Sequence, residues 1–223
     1  FNGLLFWGPP GCGKTSLAKI IGSSAGNPLV VMSAVEHGVK DIRQKIHDSA
    51  DLISNGEKPY LLFMDEIHRL SKNQQDVLLP ALESGTIRFI GATTENPSFE
   101  VNKAILSRVL VFNFDRVSPE SMLVALKNTL EKEKENLTRI DIEDDLLLAI
   151  GRAANGDVRR AIGLLEAVLV SAPADVSPIT TDSVETFADA IGLAYDKNGD
   201  QHYDTVSAMI KSIRASHPDA AVY

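Results

Sequence analysis

The stretch Gly8–Ile20, GPPGCGKTSLAKI, follows the apolar run LLFW and leads into a helix-like pattern. It places three glycines and two prolines between the two. Such a segment is expensive to order, because glycine loses the most backbone entropy and proline removes a hydrogen-bond donor. A bound ligand would offset that cost. The spacing of Gly8, Gly13, Lys14 and Thr15 fits the phosphate-binding pattern G-x-x-x-x-G-K-[ST]. In such a loop, successive backbone N–H groups turn inward onto phosphate oxygens, and glycines let the backbone come close. Lys14 then reaches the β- and γ-phosphates of a nucleotide such as ATP, and Thr15 offers its hydroxyl to Mg²⁺. The helix predicted from SLAKIIGSSA adds the positive end of its dipole. The nucleotide-contacting set is therefore Gly8, Pro9, Pro10, Gly11, Cys12, Gly13, Lys14, Thr15 and Ser16. Cys12 lies inside the loop beside a helix start and a lysine, a setting in which thiols can be reactive; a small filler residue is the simpler reading.

The remaining bulk properties narrow the class. The chain has 223 residues, 44% hydrophobic and 23% charged, which is globular composition with length for one large or two small domains. Its single cysteine excludes an internal disulfide framework and suits a reducing compartment. No apolar run approaches the ~20 residues of a membrane span, and no signal peptide is visible. A net charge of −8 argues against a wholesale nucleic-acid coat, though not against a local basic patch. The sequence starts at Phe1, almost inside a strand, and stops at Tyr223 in helix-like sequence. The expectation is a piece of a longer polypeptide.

Five strand candidates punctuate the first half: GLLFW, LVVMSA, YLLFMD, RFIGATT and VLVFNF. Helix-like segments alternate with most of them, which predicts an α/β core with a five-stranded parallel sheet over residues 1–115. After Asp115 the strand signals fade. SPESMLVALKNTLEKEKENL opens with a serine–proline helix start, and DDLLLAIGRAA and DVRRAIGLLEAVLVSA keep the helical period. Residues 116–190 are thus expected to form a small all-helical lid, with a third unit, 191–223, beginning after the turn-rich SAPADVSPITTDS.

Chemistry gathers at predicted strand ends. LLFMDE closes the third strand with Asp65 and Glu66, on the sheet edge that also carries the glycine loop. Asp65 suits the Mg²⁺ shell, and Glu66 suits the activation of water on the γ-phosphate. FIGATTENPS offers Thr93, Thr94 and Asn96 at the end of the fourth strand; Thr93 is chosen because the strand ends beside it. ILSRVLVF puts Arg108 at a helix end before the fifth strand, where a guanidinium can serve a neighbouring subunit's phosphoryl transfer.

GPPGCGKT, DEIHRL, IGATTENPSF, ILSR and GDVRRAIGLLE together resemble the AAA+ ATPases of the clamp-loader branch. More narrowly, DEIHRLSKNQQDVLLPALESGTIRFIGATTENPSFEVNKAILSR is similar to the replication-associated recombination protein A family, whose eukaryotic relative is the Werner-helicase-interacting ATPase. YDKNGDQHYDTVSAMIKSIRASHPDAAVY resembles the start of that family's C-terminal oligomerisation domain, cut short here. The resemblance implies an ATP- and Mg²⁺-dependent, DNA-stimulated ATPase acting at stalled or damaged forks. It implies Arg108 as an arginine finger acting in trans, Arg159 rather than Arg160 as the lid's sensor arginine, and Thr93 in the sensor place on the fourth strand. Implied partners are DNA gaps, ends or forks, single-strand-binding protein, and further copies of the chain in a tetramer. The implied location is the bacterial cytoplasm beside the nucleoid, or the nucleus in a eukaryote. The family segment that closes over adenine precedes the first strand and is not in the sequence. A mostly monomeric, feeble ATPase is expected of this stretch.

His37, His47, His68, His202 and His217 show no zinc-like spacing; His68, close to Glu66, is expected to support the site structurally. Lys40, Arg43 and Lys45 lie where clamp-loader relatives face DNA, although DIRQKI also reads as a charged helix face. Pro80 should kink or break its helix. A protein-remodelling ATPase is the alternative function, but VEHGVKDIRQKIHDSADLISNGEKPY lacks the aromatic-before-glycine pore loop of that class. A small-molecule kinase would need neither Arg108, Arg159 nor a lid.

Overall fold

The computed structural model describes residues 3–133, 141–171 and 178–180. Five strands form one parallel sheet: β1 (Gly3–Trp7), β2 (Leu29–Ser33), β3 (Leu61–Asp65), β4 (Arg88–Thr93) and β5 (Leu110–Asn113). Their order is β2-β3-β4-β1-β5, so β4 is the central strand, between β3 and β1. The connecting helices are α1 (Lys14–Ala25), α2 (Val39–Ser54), α3 (Lys72–Gln75), α4 (Leu79–Ser84), α5 (Pro97–Glu100) and α6 (Lys103–Leu106).

Strand residues alternate between two apolar layers, as the two-residue period of a strand covered on both faces requires. Leu5, Leu62, Met64 and Phe89 pack with Ile42 of α2 and with Leu78, Leu82 and Ile105. Leu4, Phe6, Leu61, Phe63, Ile90 and Ala92 face the other way, onto Ala18 of α1. Pro80 falls in the first turn of α4, where a missing N–H costs nothing, and a 3-10 turn over Asp76–Leu78 separates α4 from α3. The predicted break is observed.

One buried polar side chain ties two segments behind the site. The Gln75 amide donates to the carbonyls of Leu70 and Glu100, both at 3.0 Å, while its oxygen accepts the Asn102 N–H at 2.8 Å. The turn after β3 and the segment carrying α5 and α6 are thereby held as one piece.

The helical unit packs α7 (Pro119–Lys132), α8 (Asp144–Ala153) and α9 (Val158–Ser171) around Met122, Leu126, Leu147, Ile150, Ala161 and Leu165. Ser118 starts α7 by accepting the Ser121 N–H at 3.2 Å, the cap expected of its serine–proline start. The expected third unit, His202 and His217 lie outside the described residues.

Candidate active site

A parallel sheet brings all its carboxyl ends to one edge, and the strand order decides which of them are neighbours. Trp7 of β1 is in register with Thr93 of β4, and Gly91 of β4 with Met64 of β3. The glycine loop, the threonines and the two acidic residues are therefore laid side by side, with the threonines in the middle.

The loop Gly8–Gly13 is pinned to its surroundings at both ends. The Gly8 N–H donates to the Thr93 carbonyl at 3.2 Å, and a Cβ at Gly8 would meet the Phe114 carbonyl oxygen at 2.3 Å. Gly13 has φ 96° and caps α1 in the left-handed region, a conformation that favours glycine. Lys14 is 7% exposed, and its ammonium donates to the Gly8 and Pro9 carbonyls at 2.8 and 2.7 Å. The Cys12 thiol donates to the Pro9 carbonyl at 3.0 Å, so it serves the loop's own geometry. Thr15 and Ser16 occupy the first turn of α1.

Asp65 ends β3, and its Oδ1 accepts the N–H of Glu66 at 3.1 Å. Glu66 has φ 52°, uncommon for a residue with a side chain. That bend starts a 3-10 turn over Ile67–Arg69 and returns His68 toward the preceding carboxylate. His68 Nδ1 lies 3.2 Å from Glu66 Oε2 and 3.0 Å from Thr93 Oγ1. Thr93 is fully buried, and its hydroxyl accepts the Glu95 N–H at 3.0 Å. Thr94, not Thr93, reaches the Glu66 carboxylate, donating to Oε2 at 3.4 Å. Asn96 is occupied as the cap of α5, accepting the Ser98 N–H at 3.0 Å. Sequence reasoning chose Thr93 of the two threonines; which hydroxyl touches Glu66 depends on how the chain leaves the strand.

Arg108 stands apart. It precedes β5, whose start pairs with the start of β1, whereas the glycine loop follows the end of β1. At ~3.3 Å per strand residue, Arg108 lies roughly 15 Å behind the crevice edge of its own sheet. Its guanidinium donates to Glu83 Oε1 of α4 at 2.5 Å, and to the Ala104 carbonyl and the Ser107 hydroxyl at 2.7 and 3.0 Å. The Glu83 partner, 25 positions away in sequence, left no signal there.

Arg159 and Arg160 are both exposed in the first turn of α9. That turn touches the phosphate loop directly: the Val158 N–H donates to the Gly11 carbonyl at 3.1 Å. Asp157 caps the helix, its Oδ1 accepting the N–H groups of Arg159 and Arg160 at 2.9 and 3.1 Å. A Cβ on Gly11 would stand 1.8 Å from that oxygen. The lid is thus seated on the loop by backbone, a contact no sequence pattern announced.

Among the described residues no group of three His, Cys, Asp or Glu side chains is arranged to hold a metal ion, and no helix is long and apolar enough to cross a membrane. Of the α2 cations, Lys45 is paired with Asp48 at 2.9 Å. Hydrogen bonds from Gln44 and then Lys45 hold the Asp48 carboxyl below its usual range, and the Asp48 hydrogen bond raises Lys45. Lys40 and Arg43 instead line a shallow groove with Gln44 and His47.

Comparison with known proteins agrees with the fold. Residues 4–117 match the model of the ATPase family associated with various cellular activities (AAA). The chain belongs to the AAA family of ATPases. A second model, the AAA C-terminal domain, matches residues 135–214. Replication-associated recombination protein A of Escherichia coli K12 is 42% identical over 227 residues, covering 100% of this chain and 51% of that protein. ATPase WRNIP1 of Dictyostelium discoideum is 40% identical over 238 residues, covering 98% of this chain and 27% of that protein. This AAA ATPase chain therefore spans about half the length of its bacterial relatives. Among solved structures, the RuvB Holliday junction branch migration motor of Thermotoga maritima superposes with a TM-score of 0.69 at 25% identity, covering 95% of this chain and 69% of that one.

Proposed function

We propose that this chain is the ATP-hydrolysing unit of a DNA-dependent enzyme of the clamp-loader branch, working at stalled or damaged replication forks in recombination and repair. Similarity to replication-associated recombination protein A across the whole chain carries the fork assignment. The strand-end cluster supports the chemistry.

In this reading the loop N–H groups, the start of α1 and Lys14 bind the β- and γ-phosphates of ATP. Thr15 and Asp65 supply the hard oxygen ligands that suit Mg²⁺, whose chemistry is to neutralise charge on the phosphates. Glu66 draws the proton from the attacking water, and the neighbouring threonine hydroxyls fix the carboxylate; Thr94 is the one in contact with it. Arg159 approaches the γ-phosphate from the lid, whose seat on Gly11 brings α9 to the loop. Arg108 acts on the ATP of the next subunit, because its own crevice lies on the opposite edge of the sheet. That role requires a homo-oligomer, for which a tetramer is proposed. DNA gaps, ends or forks and single-strand-binding protein are the proposed partners, with Lys40 and Arg43 as the first DNA-facing cations to test. The proposed location is wherever the chromosome is: beside the nucleoid, or in the nucleus.

The test is ATP turnover by the intact gene product, alone and with single-stranded, gapped and forked DNA, and with an unfolded protein. The expected result is stimulation by DNA and none by the protein. Stimulation by the unfolded protein alone would replace this reading with the protein-remodelling one.

A further inference from the structure

The histidine two residues after Glu66 is placed to do more than fill space. Its side chain is 10% exposed, and one nitrogen, Nδ1, faces both Glu66 Oε2 at 3.2 Å and Thr93 Oγ1 at 3.0 Å. These partners dictate the tautomer. An ionised carboxylate only accepts hydrogen bonds, so its contact with Nδ1 is attractive only when Nδ1 carries the hydrogen. The Thr93 hydroxyl accepts the Glu95 N–H at 3.0 Å and has its own hydrogen directed to the Glu95 carbonyl at 3.3 Å, leaving a second lone pair for Nδ1–H. The ring is thus anchored on a fully buried hydroxyl at the end of β4 and presents the same hydrogen to the carboxylate.

We infer that His68 is a positioning residue: its Nδ1–H, anchored on Thr93, fixes the Glu66 carboxylate in the orientation from which it activates water. The inference rests on Glu66 being the base. It also gives Thr93 and Thr94 separate tasks. Thr93 acts through the histidine, and Thr94 donates to the same carboxylate oxygen directly. Two donors converging on Oε2 leave Oε1 as the oxygen that takes the water proton. The bend at Glu66, with φ 52°, brings residues 66 and 68 within reach of each other.

Side-chain geometry supplies the test. An asparagine amide nitrogen falls where histidine Nδ1 stands, whereas a glutamine nitrogen falls where Nε2 stands. In the intact gene product, His68→Ala and His68→Gln should lower kcat by roughly tenfold or more, with KM for ATP changed by less than about twofold. His68→Asn should return kcat to within about threefold of the parent. In a Glu66→Gln background, His68→Ala should add no further loss. Parent-like turnover by His68→Ala and His68→Gln would overturn the inference. So would equal failure of His68→Asn and His68→Gln with loss of nucleotide affinity, which is what a packing role predicts. Should His68→Ala not fold, the asparagine–glutamine pair decides alone. Glu66→Gln separates the two assignments: parent-rate hydrolysis by that variant removes Glu66 as base and this inference with it. Its inactivity beside a fully active His68→Gln removes this inference only.

Discussion

The groups at the carboxyl ends of β1, β3 and β4 and the arginines at positions 108, 159 and 160 are all charged or polar, yet the fold secures them in opposite ways. Lys14 and Thr93 are buried, and Glu66 is held by two side chains, one from its own turn and one from the residue that follows β4. Thr93 is a residue of the sheet itself, Glu66 directly follows β3, and Lys14 opens the helix that the glycine loop leads into. The arginines are exposed, reach out from short or separate elements, and Arg108 is engaged with its own subunit's Glu83. The first group is finished within one chain. In the reading proposed above the second group acts across a boundary: Arg159 from α9 onto the phosphate loop, Arg108 onto a second subunit. Substitutions in the first group should act on every molecule alone, and substitutions at Arg108 only through assembly.

The largest expected effect is at the finished cluster, where two substitutions should fail differently. Lys14→Ala removes the phosphate-facing cation, so ATP affinity and turnover both fall, turnover by roughly 10³-fold or more. Glu66→Gln keeps the shape but not the base, so turnover falls by about 10²- to 10³-fold while ATP still binds. Nucleotide binding by fluorescence, measured beside steady-state hydrolysis, separates them. Equal hydrolysis by Glu66→Gln and the parent would place the base elsewhere.

Arg108 tests the other half of the contrast. Arg108→Ala should lower turnover by about 10²- to 10³-fold at unchanged ATP affinity, toward the size of known arginine-finger effects. Mixing Arg108→Ala with Lys14→Ala subunits should restore part of the rate, because some interfaces then pair an intact Lys14 with an intact Arg108. Mixed oligomers, shown to form, that stay as inactive as either parent would mean that Arg108 does not act in trans.

The same contrast explains what was legible in the sequence. All five strands were found within a residue or two, each as a short apolar run; burial on both faces accounts for the runs of β1, β3 and β4, whereas the apolar run of β5 is exposed. The loop and the Asp65–Glu66 pair were readable because strand ends are fixed by those runs. What remained hidden depends on dihedral angles or on long-range packing. The φ of 52° at Glu66 brings His68 back onto the carboxylate, and the exit from β4 gives Thr94 rather than Thr93 the direct contact. Glu83 meets Arg108, and Gln75 meets the Glu100 carbonyl and the Asn102 N–H, across gaps of at least 25 positions with no local pattern. The proposed role of Arg159 rested on family resemblance alone, and that of Arg108 on the same resemblance added to its place at a helix end before the fifth strand.

The smallest effect belongs to the joint between the two regions, where the lid's Asp157 meets the loop's Gly11. Asp157 accepts two N–H groups at the start of α9, and replacing such a cap by alanine costs about 1 kcal/mol. For a chain of this size that is a fall in Tm of roughly 2–4 °C. Asparagine caps as well as aspartate, so Asp157→Asn should melt like the parent. Gly11→Ala attacks the same joint from the other side: its Cβ would stand 1.8 Å from Asp157 Oδ1, at a φ of 69° that alanine rarely adopts. It should therefore cost about 1–3 kcal/mol and weaken ATP binding, because the Val158 N–H can no longer reach the Gly11 carbonyl. Adding Asp157→Ala to Gly11→Ala removes the clashing oxygen, so the double variant should lose less than the sum of the two. Strict additivity in thermal melts would show that loop and lid do not touch there in solution, and the arginines of α9 would then lose their route to the phosphates.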